Sequence, residues 1–460
     1  MKTYDVLVLG GGTAGTAAAK AAHQAGQKTA MFNDGELGGL CILRGCMPTK
    51  TMLHAAHLRH EAAHHHTPGI GRAELSVDFP AVMANKDAKV ERFKSAKIRG
   101  IEAAGYEVLD ARAKFVGPDT IEAGGETYKF EKGAVIATGS TQFIPDVPGL
   151  KESDYLDSDG LMQLTEQPKS CIVLGTGAIG LEFAQFFARL GSEVHVLARR
   201  RIFQDLDEEV GKEMRAVFEE APSMHLHDGH TPIAVRQLDG RVEVDAKVGA
   251  EIRTFEAERL IVATGRRAAL DGLGLEAAGI NRDRHTIPTD ADMRTSNPRV
   301  FVAGDASGFK QLLHVANWEG AVAGMGAAQV PGPHAVEQRL DVSVIFFDPP
   351  LATVGLSELD ARKHALEVVT ASARFPETGR AITMDVQHGL LKLVADRQSG
   401  EILGAQILGP RADDMIHTIS TLMYFHGTAQ QMLEMPWYHP TLSEVLLQLA
   451  RDIETQRKEA

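Results

Sequence analysis

Residues 4–26, YDVLVLGGGTAGTAAAKAAHQAG, begin as a continuous apolar run, break at three glycines and continue as an alanine-rich stretch. That order predicts a buried strand, a tight turn and a helix. It returns at 170–201, SCIVLGTGAIGLEFAQFFARLGSEVHVLARRR. Each copy is followed downstream by an apolar strand ending in the same tripeptide, GAVIATGS at 133–140 and LIVATGRR at 260–267. Such an internal echo predicts two copies of one architecture. VFVAGDASG at 300–308 is a third strand-to-glycine stretch, with Asp305 at its tip. From about residue 340 the pattern changes. DVSVIFFDPPLATVGLS and HGLLKLVADRQSGEILGAQILG alternate like strands broken by turns, and ADDMIHTISTLMYF has helical spacing. The remainder of the chain therefore reads as a separate α+β domain.

Composition sets the bounds. A length of 460 residues allows about three domains. Hydrophobic residues make up 44% and charged residues 24%, enough apolar surface for large cores, which excludes a disordered chain. The first apolar run, Val6 to Leu9, stops at glycines too early for a signal h-region or a membrane span. A cytoplasmic protein is the expectation. The formal net charge is -13 and the longest basic block is Arg199 to Arg201, which argues against a nucleic-acid or anionic-membrane partner.

Gly10, Gly12 and Gly15 form G-x-G-x-x-G between strand and helix, the context that a dinucleotide fingerprint requires. Bare glycines let the backbone approach a pyrophosphate, whose charge then sits at a helix N-terminus. A tight turn is the plain alternative. Gly175, Gly177 and Gly180 repeat the spacing, and two such units are far more specific than one. One site would hold a flavin and the other a nicotinamide. An acidic residue for a ribose hydroxyl belongs about 20 residues on. Asn33 and Ala198 stand there instead, Asn33 with Asp34 beside it. After Ala198 come Arg199, Arg200 and Arg201, and guanidinium groups bind a 2′-phosphate well. This favours NADPH over NADH, against the plainer reading of a solvated basic turn.

The chain has three cysteines, Cys41, Cys46 and Cys171. Three are too few for a disulfide framework, so the close pair in GGLCILRGCMPTK (38–50) points to transient redox chemistry or a metal. Bridging needs Cα atoms within about 7 Å, and a regular helix holds positions i and i+5 farther apart. A bridged pair therefore excludes regular helix over 41–46. Gly45 and Pro48 fit a distorted start to a helix through TMLHAAHLRHEAAHH. A thiol there feels the helix dipole, which lowers its pKa from about 8.5. Cys171, inside the second strand run, reads as a small buried apolar residue. His54, His57, His60, His64, His65 and His66 crowd the following helix. They keep a metal open, although zinc-type C-x-x-C spacing is absent and surface histidines are the plainer reading.

PWYHPTLSEVLLQLARDI (436–453) supplies the companion group. Thiol–disulfide exchange needs a proton carrier, which His439 fits, with Glu444 orienting its other ring nitrogen. Thr441 to Glu444 is also T-x-x-E before an apolar run, a capping box that explains Glu444 without catalysis.

Taken in order, the first glycine turn, C-x-x-x-x-C with Pro-x-Lys, the second glycine turn, AGD and the terminal His-Pro-Thr-x-x-Glu resemble the FAD-dependent pyridine nucleotide-disulfide oxidoreductases. The resemblance covers essentially the whole chain. CMPTKTMLHAAHLRHEAAHH is similar to lipoamide dehydrogenases, and VLARRRIFQDLD resembles the NADPH site of mercuric reductases. It implies an α/β fold with two Rossmann-like dinucleotide-binding domains and a C-terminal α+β dimerisation domain. The FAD domain would be discontinuous over 1–148 and 268–338, the NAD(P) domain 149–267 and the interface domain 339–460. Cys46 would face the flavin and Cys41 would exchange with substrate. Lys50 would lie near the flavin N5, paired with Glu182, and Asp305 would bind the ribitol. Gly10, Gly12, Gly15, Asn33, Ala113, Gly139 and Leu313 would join the FAD contacts, with Gly265 among the cofactor contacts. His439 and Glu444 would act across a homodimer interface.

The implied function is electron relay between a nicotinamide, FAD and a Cys41–Cys46 disulfide. Lipoamide on a carrier protein is the first substrate expected and a small disulfide such as glutathione the second. The chain departs from the family at Leu40 and Leu43, where Thr and Asn are usual, and at Asn33, where Glu is usual. No cysteine follows Cys171, whereas mercuric reductases carry a C-terminal pair, which weighs against mercury. A flavoprotein whose disulfide senses oxidants or metals is the alternative of a different class. A structural subunit is a further one, disfavoured by the two cysteines and His439.

Overall fold

The computed structural model describes residues 1–333 and 337–459, in two compact units. The first unit comprises residues 1–51, 84–143 and 265–336. Its sheet is built on the strand Lys2–Leu9, which runs parallel to Thr29–Asn33 on one side and Glu126–Ile136 on the other. Glu107–Asp110 extends the sheet beyond Thr29–Asn33, and Val300–Val302 pairs with the last part of Glu126–Ile136. The hairpin Ala113–Gly117 and Thr120–Ala123 pairs antiparallel with its first part. Alternate residues of these strands enter two cores: Leu7, Leu9, Phe32 and Phe130 in one, Val6, Val8, Met31 and Phe301 in the other. A sheet buried on both faces accounts for the unbroken apolar run read in the sequence.

The helix Thr13–Gln24 lies against the helix Leu313–Ala328. Their backbones meet closely because Gly320 and Gly324 carry no side chain. A Cβ at either would overlap the carbonyl oxygen of Ala14 or Ala18.

The second unit comprises residues 52–83, 144–264 and 337–460. It repeats the strand, glycine turn and helix with Ser170–Leu174 and Ala178–Leu190. Four parallel strands run in the order Met224–His227, Glu193–Leu197, Ser170–Leu174, Arg259–Val262. Beside them in sequence is an antiparallel sheet of Thr231–Leu238, Arg241–Val248 and Glu251–Ala257. The C-terminal region forms a five-stranded antiparallel sheet covered by the helices Ala412–Tyr424 and Val445–Glu459. The architecture is α/β, with two Rossmann-like halves and a C-terminal α+β domain. Among the described residues no helix is long and apolar enough to cross a membrane.

Within this unit a buried ammonium joins the repeat to the C-terminal sheet. Lys392 Nζ lies 3.3 Å from Asp207, 2.8 Å from Glu209 and 2.5 Å from Glu358, and its side chain is 5% exposed. Three carboxylates offset the cost of burying one cation, which is why a lysine is tolerated in the middle of the apolar strand Leu390–Asp396.

The glycine contact between helices gives a direct test. Gly324→Val drives two methyl groups toward a carbonyl oxygen that has nowhere to retreat, and overpacking of this kind costs about 1–3 kcal/mol or more. Thermal unfolding should show a fall in Tm of several degrees for Gly324→Val.

Candidate functional site: two nucleotide cradles and a cysteine pair

Four parallel strands of the first unit end together, since Leu9 is in register with Phe32 and Ile136, and Ile136 with Val302. The segments that follow them, Gly10–Gly12, Asn33–Gly35, Ala137–Gly139 and Gly304–Ser307, therefore meet at one edge of the sheet, where α/β proteins bind ligands. Gly10 has φ +112° and a Cβ there would overlap the Ala137 carbonyl oxygen. A Cβ on Gly15 would overlap the Gly10 carbonyl in turn. Gly12 differs, because it caps the helix Thr13–Gln24 without a side chain and nothing lies within 4 Å of its missing Cβ. Gly139, at φ +73°, is equally open. The first two glycines let the backbone fold on itself. Gly12 leaves room at the helix N-terminus, which suits a phosphate-bearing ligand, and Gly139 leaves open space at the same edge of the sheet.

Around this cradle Asn33 turns its amide to the Gly35 carbonyl at 2.7 Å, with its other side-chain atom against Gly11. Asp305 accepts a hydrogen bond of 2.6 Å from Ser140 Oγ, which accepts one of 2.8 Å from Arg266 Nε. Ser140 and Arg266 were not singled out in the sequence, yet each is the residue directly after an ATG tripeptide. Leu313 begins the helix Leu313–Ala328 and is exposed. Ala113 is buried on its strand among Phe115, Leu270 and Leu273.

The second cradle reproduces the first. Gly175 has φ +115° and abuts the Ala263 carbonyl, Gly180 abuts Gly175, and Gly177 is the open cap of Ala178–Leu190. Leu174 is in register with Leu197 and Val262, so Ala198–Arg200 leave the sheet at its carboxyl edge. Arg199 and Arg200 are exposed there. Gly265, at φ +112°, has nothing within 4 Å of its missing Cβ. Both cradles fit a dinucleotide: room at a bare helix N-terminus, and glycines wherever backbone meets backbone.

Cys41 and Cys46 are joined in a disulfide with Cα atoms 4.7 Å apart. The helical turn Gly39–Leu43 ends at Arg44, and Gly45 packs on the backbone of Leu40 and Cys41, leaving no space for a Cβ without displacement. The helix Cys46–His64 then begins at the second cysteine. Cys171 is fully buried, and burial pushes its thiol up to about 12. Lys50 lies on the second turn of Cys46–His64. Glu182 is 3% exposed, and its Oε1 accepts the Phe346 backbone N–H at 2.8 Å.

The two sequence readings of Glu444 coexist. One carboxylate oxygen accepts the Thr441 N–H at 2.8 Å, and the other binds His439 Nδ1 at 2.9 Å. The Thr441 amide, and after it His439, hold the Glu444 carboxyl below the usual range. The His439 side chain is otherwise exposed, at 78%.

The histidines after the cysteine pair do not gather. His60 and His64 stack at 4.4 Å, and His57 Nδ1 instead meets Asp348 at 3.0 Å, with Arg189 Nη1 2.7 Å from the same carboxylate oxygen. Burial pushes His60 down to about 3. Among the described residues no group of three or more His, Cys, Asp or Glu side chains is placed to hold a metal.

Residues 4–320 match the family model described as pyridine nucleotide-disulphide oxidoreductase, and residues 342–450 match its dimerisation domain. The dihydrolipoyl dehydrogenase of Geobacillus stearothermophilus is 33% identical over 97% of this chain and 95% of its own. The mercuric reductase of Streptomyces lividans is 33% identical over 96% and 94%, and that of Bacillus cereus 32% over 96% and 70%. Among solved structures, the HOCl-induced flavoprotein disulfide reductase RclA from Escherichia coli superposes with a TM-score of 0.86 at 24% identity, over 97% of this chain and 99% of that one. That likeness is one of fold.

The His57–Asp348 pair yields a pH prediction. The hydrogen bond to Asp348 raises the pKa of His57, so the pair's stabilisation is fully present below the unfolded histidine value of about 6.5. It is lost as pH rises through the higher folded value. His57→Ala should lower stability by about 0.5–1 kcal/mol at pH 6 and by much less at pH 9, as read by denaturant unfolding at the two pH values.

Proposed function

The chain belongs to the pyridine nucleotide-disulphide oxidoreductase family, and from that membership we propose a dihydrolipoyl dehydrogenase-like enzyme that uses NADPH and acts on a lipoyl dithiol or disulfide carried by a partner protein. The observation that carries this reading is the bridged Cys41–Cys46 pair at the start of a helix, in the unit that holds the first cradle. Gly10, Gly12, Gly15, Asn33, Gly139 and Asp305 are assigned to FAD, and Lys50 and Glu182 to the same cofactor. Gly175, Gly177, Gly180, Arg199 and Arg200 are assigned to the nicotinamide nucleotide. Bound FAD supplies the two-electron exchange that joins the nicotinamide to the cysteine pair.

Substrate chemistry rests on this chain's own side chains. With the pair reduced, the Cys41 thiolate attacks one sulfur of the substrate disulfide, forming a mixed disulfide and expelling the other sulfur as a thiolate. His439 Nε2 protonates that leaving thiolate, while Glu444 on Nδ1 stabilises the imidazolium before transfer and orients the ring. The Cys46 thiolate then attacks Cys41 Sγ, restoring the Cys41–Cys46 bond and releasing the second substrate sulfur. Two electrons pass from the pair to the substrate, and the same steps reversed oxidise a dithiol. His439 is proposed to serve the partner subunit's disulfide in a homodimer. Cys41 is flanked by Leu40 and Ile42, with Leu43 next, an apolar setting that suits a dithiolane better than the charged tripeptide of glutathione.

Anaerobic titration of the flavin-loaded protein with NADPH, and separately with NADH, tests the relay. With one equivalent of NADPH, two newly reactive thiols are expected with the flavin returned to its oxidised form, while Cys171 stays unreactive. Flavin bleaching without thiol release would refute the relay, and a response to NADH alone would refute the role of Arg199 and Arg200. His439→Gln should lower turnover with dihydrolipoamide by about 10²–10⁴-fold while leaving thiol release by the nucleotide unchanged.

A further inference from the structure

Glu319 is a carboxylate 2% exposed on the helix Leu313–Ala328, and the proposed chemistry leaves it without a part. Its Oε2 accepts the Gly304 N–H at 2.8 Å and the Ser307 hydroxyl at 3.2 Å. Those two residues are the ends of the turn Gly304–Ser307, and Asp305 lies between them. The turn has little freedom otherwise. Gly304 sits at φ +70°, where a Cβ would press on Ala14 and Ala316. Asp305 in turn is held by Ser140, and Ser140 by Arg266.

A fully buried carboxylate whose partners are one amide and one hydroxyl is costly as an anion, because neither partner carries a charge. The groups facing it do not relieve that cost. From the turn comes the Asp305 carboxylate, of like sign. The helix Thr13–Gln24 packs here with Ala14, which brings no charge, and Ser140, which holds Asp305, is itself held by Arg266. Burial, opposed by the two hydrogen bonds and assisted by Asp305, pushes Glu319 up to about 7.

We propose that Glu319 is a positioning residue for the flavin: it holds the Gly304–Ser307 turn in the shape that presents Asp305 to the cofactor, and it takes up a proton as the cofactor binds. The inference rests on the assignment of the first cradle to FAD. The physical reason is charge. A cofactor with two phosphates brings negative charge to the edge of the sheet and displaces water from it, and both effects disfavour a second buried anion beside Asp305. Protonated, Glu319 still accepts through one oxygen, so the turn keeps its shape. FAD binding and proton uptake are thereby linked: affinity is highest below about pH 7 and falls as pH rises through that value.

The test is the dissociation constant of FAD from flavin-depleted full-length protein, followed by flavin fluorescence between pH 5.5 and 9. For the wild type, Kd should rise by up to tenfold per pH unit above about pH 7, the limit for one linked proton. Glu319→Gln, a neutral mimic of the protonated acid, should bind with wild-type affinity at low pH and show no such rise. Glu319→Leu, which cannot accept either hydrogen bond, should bind at least tenfold more weakly at every pH. Calorimetry of the unmutated protein at pH 7 in two buffers of different ionisation enthalpy should register fractional proton uptake, a readout independent of how any variant folds. A wild type with a pH-independent Kd and no proton uptake, or a Glu319→Gln protein that keeps the wild-type rise, overturns the inference while leaving the FAD assignment standing. A wild type that binds no FAD overturns both.

Discussion

The carbonyl oxygen of Ala137 occupies the space that a side chain on residue 10 would need, and the carbonyl of Gly10 does the same to residue 15. These contacts between bare backbones set how closely the first strand, its neighbour and the helix Thr13–Gln24 can lie. Because the distances are those of atoms in contact, a single methyl group is enough to break them. Everything else at the carboxyl edge of the sheet depends on that spacing. With Gly10 and Gly15 compressed, the helix starts at Gly12 with its N-terminus clear, and the turns after Ile136 and Val302 arrive at the same edge. Gly175, Gly180 and Ala263 repeat the arrangement in the second unit with the same partners in the same roles. Two separate stretches of chain thus solve one steric problem identically, which is why the duplication could be seen as a repeat of glycines and not of side chains.

Polar groups were spent elsewhere. In the second unit charged groups serve cohesion: Arg189 with Asp348 and His57, and the buried Lys392 among Asp207, Glu209 and Glu358. His57 lies three turns into the helix Cys46–His64, where the ion pair holds it. Burial works against Asp348 carrying a charge, yet His57 and Arg189 hold its carboxyl well below the ordinary range. The opposite outcome at Glu319 has a simple cause: its partners are an amide and a hydroxyl, and its charged neighbour is another carboxylate.

Glu444 shows how one side chain can satisfy two readings of a sequence. As the fourth residue of T-x-x-E it closes the start of a helical segment, and as a neighbour of His439 it fixes a ring nitrogen. The two oxygens of a carboxylate divide these tasks, so neither competes with the other.

Local order was legible in the sequence because its cause is local. Gly15 against Gly10, Gly180 against Gly175, the open caps Gly12 and Gly177, and the break between Cys41 and Cys46 depend on residues within a few positions of one another. The pairing of Glu444 with His439 was legible for the same reason. The carbonyls that require Gly10 and Gly175, those of Ala137 and Ala263, come instead from far along the chain. What tertiary structure alone decided are the partnerships across long stretches of chain: Gly320 and Gly324 against Ala14 and Ala18, Ser140 with Arg266 and Asp305, Glu319 under the Gly304 turn, and His57 with Asp348. The histidine-rich helix is the clearest instance. Read along the chain, its histidines look like a cluster. In the fold one of them turns to an aspartate nearly three hundred residues away. A helix points neighbouring side chains in different directions, and the element that each direction meets is set by packing, which no single stretch of sequence records.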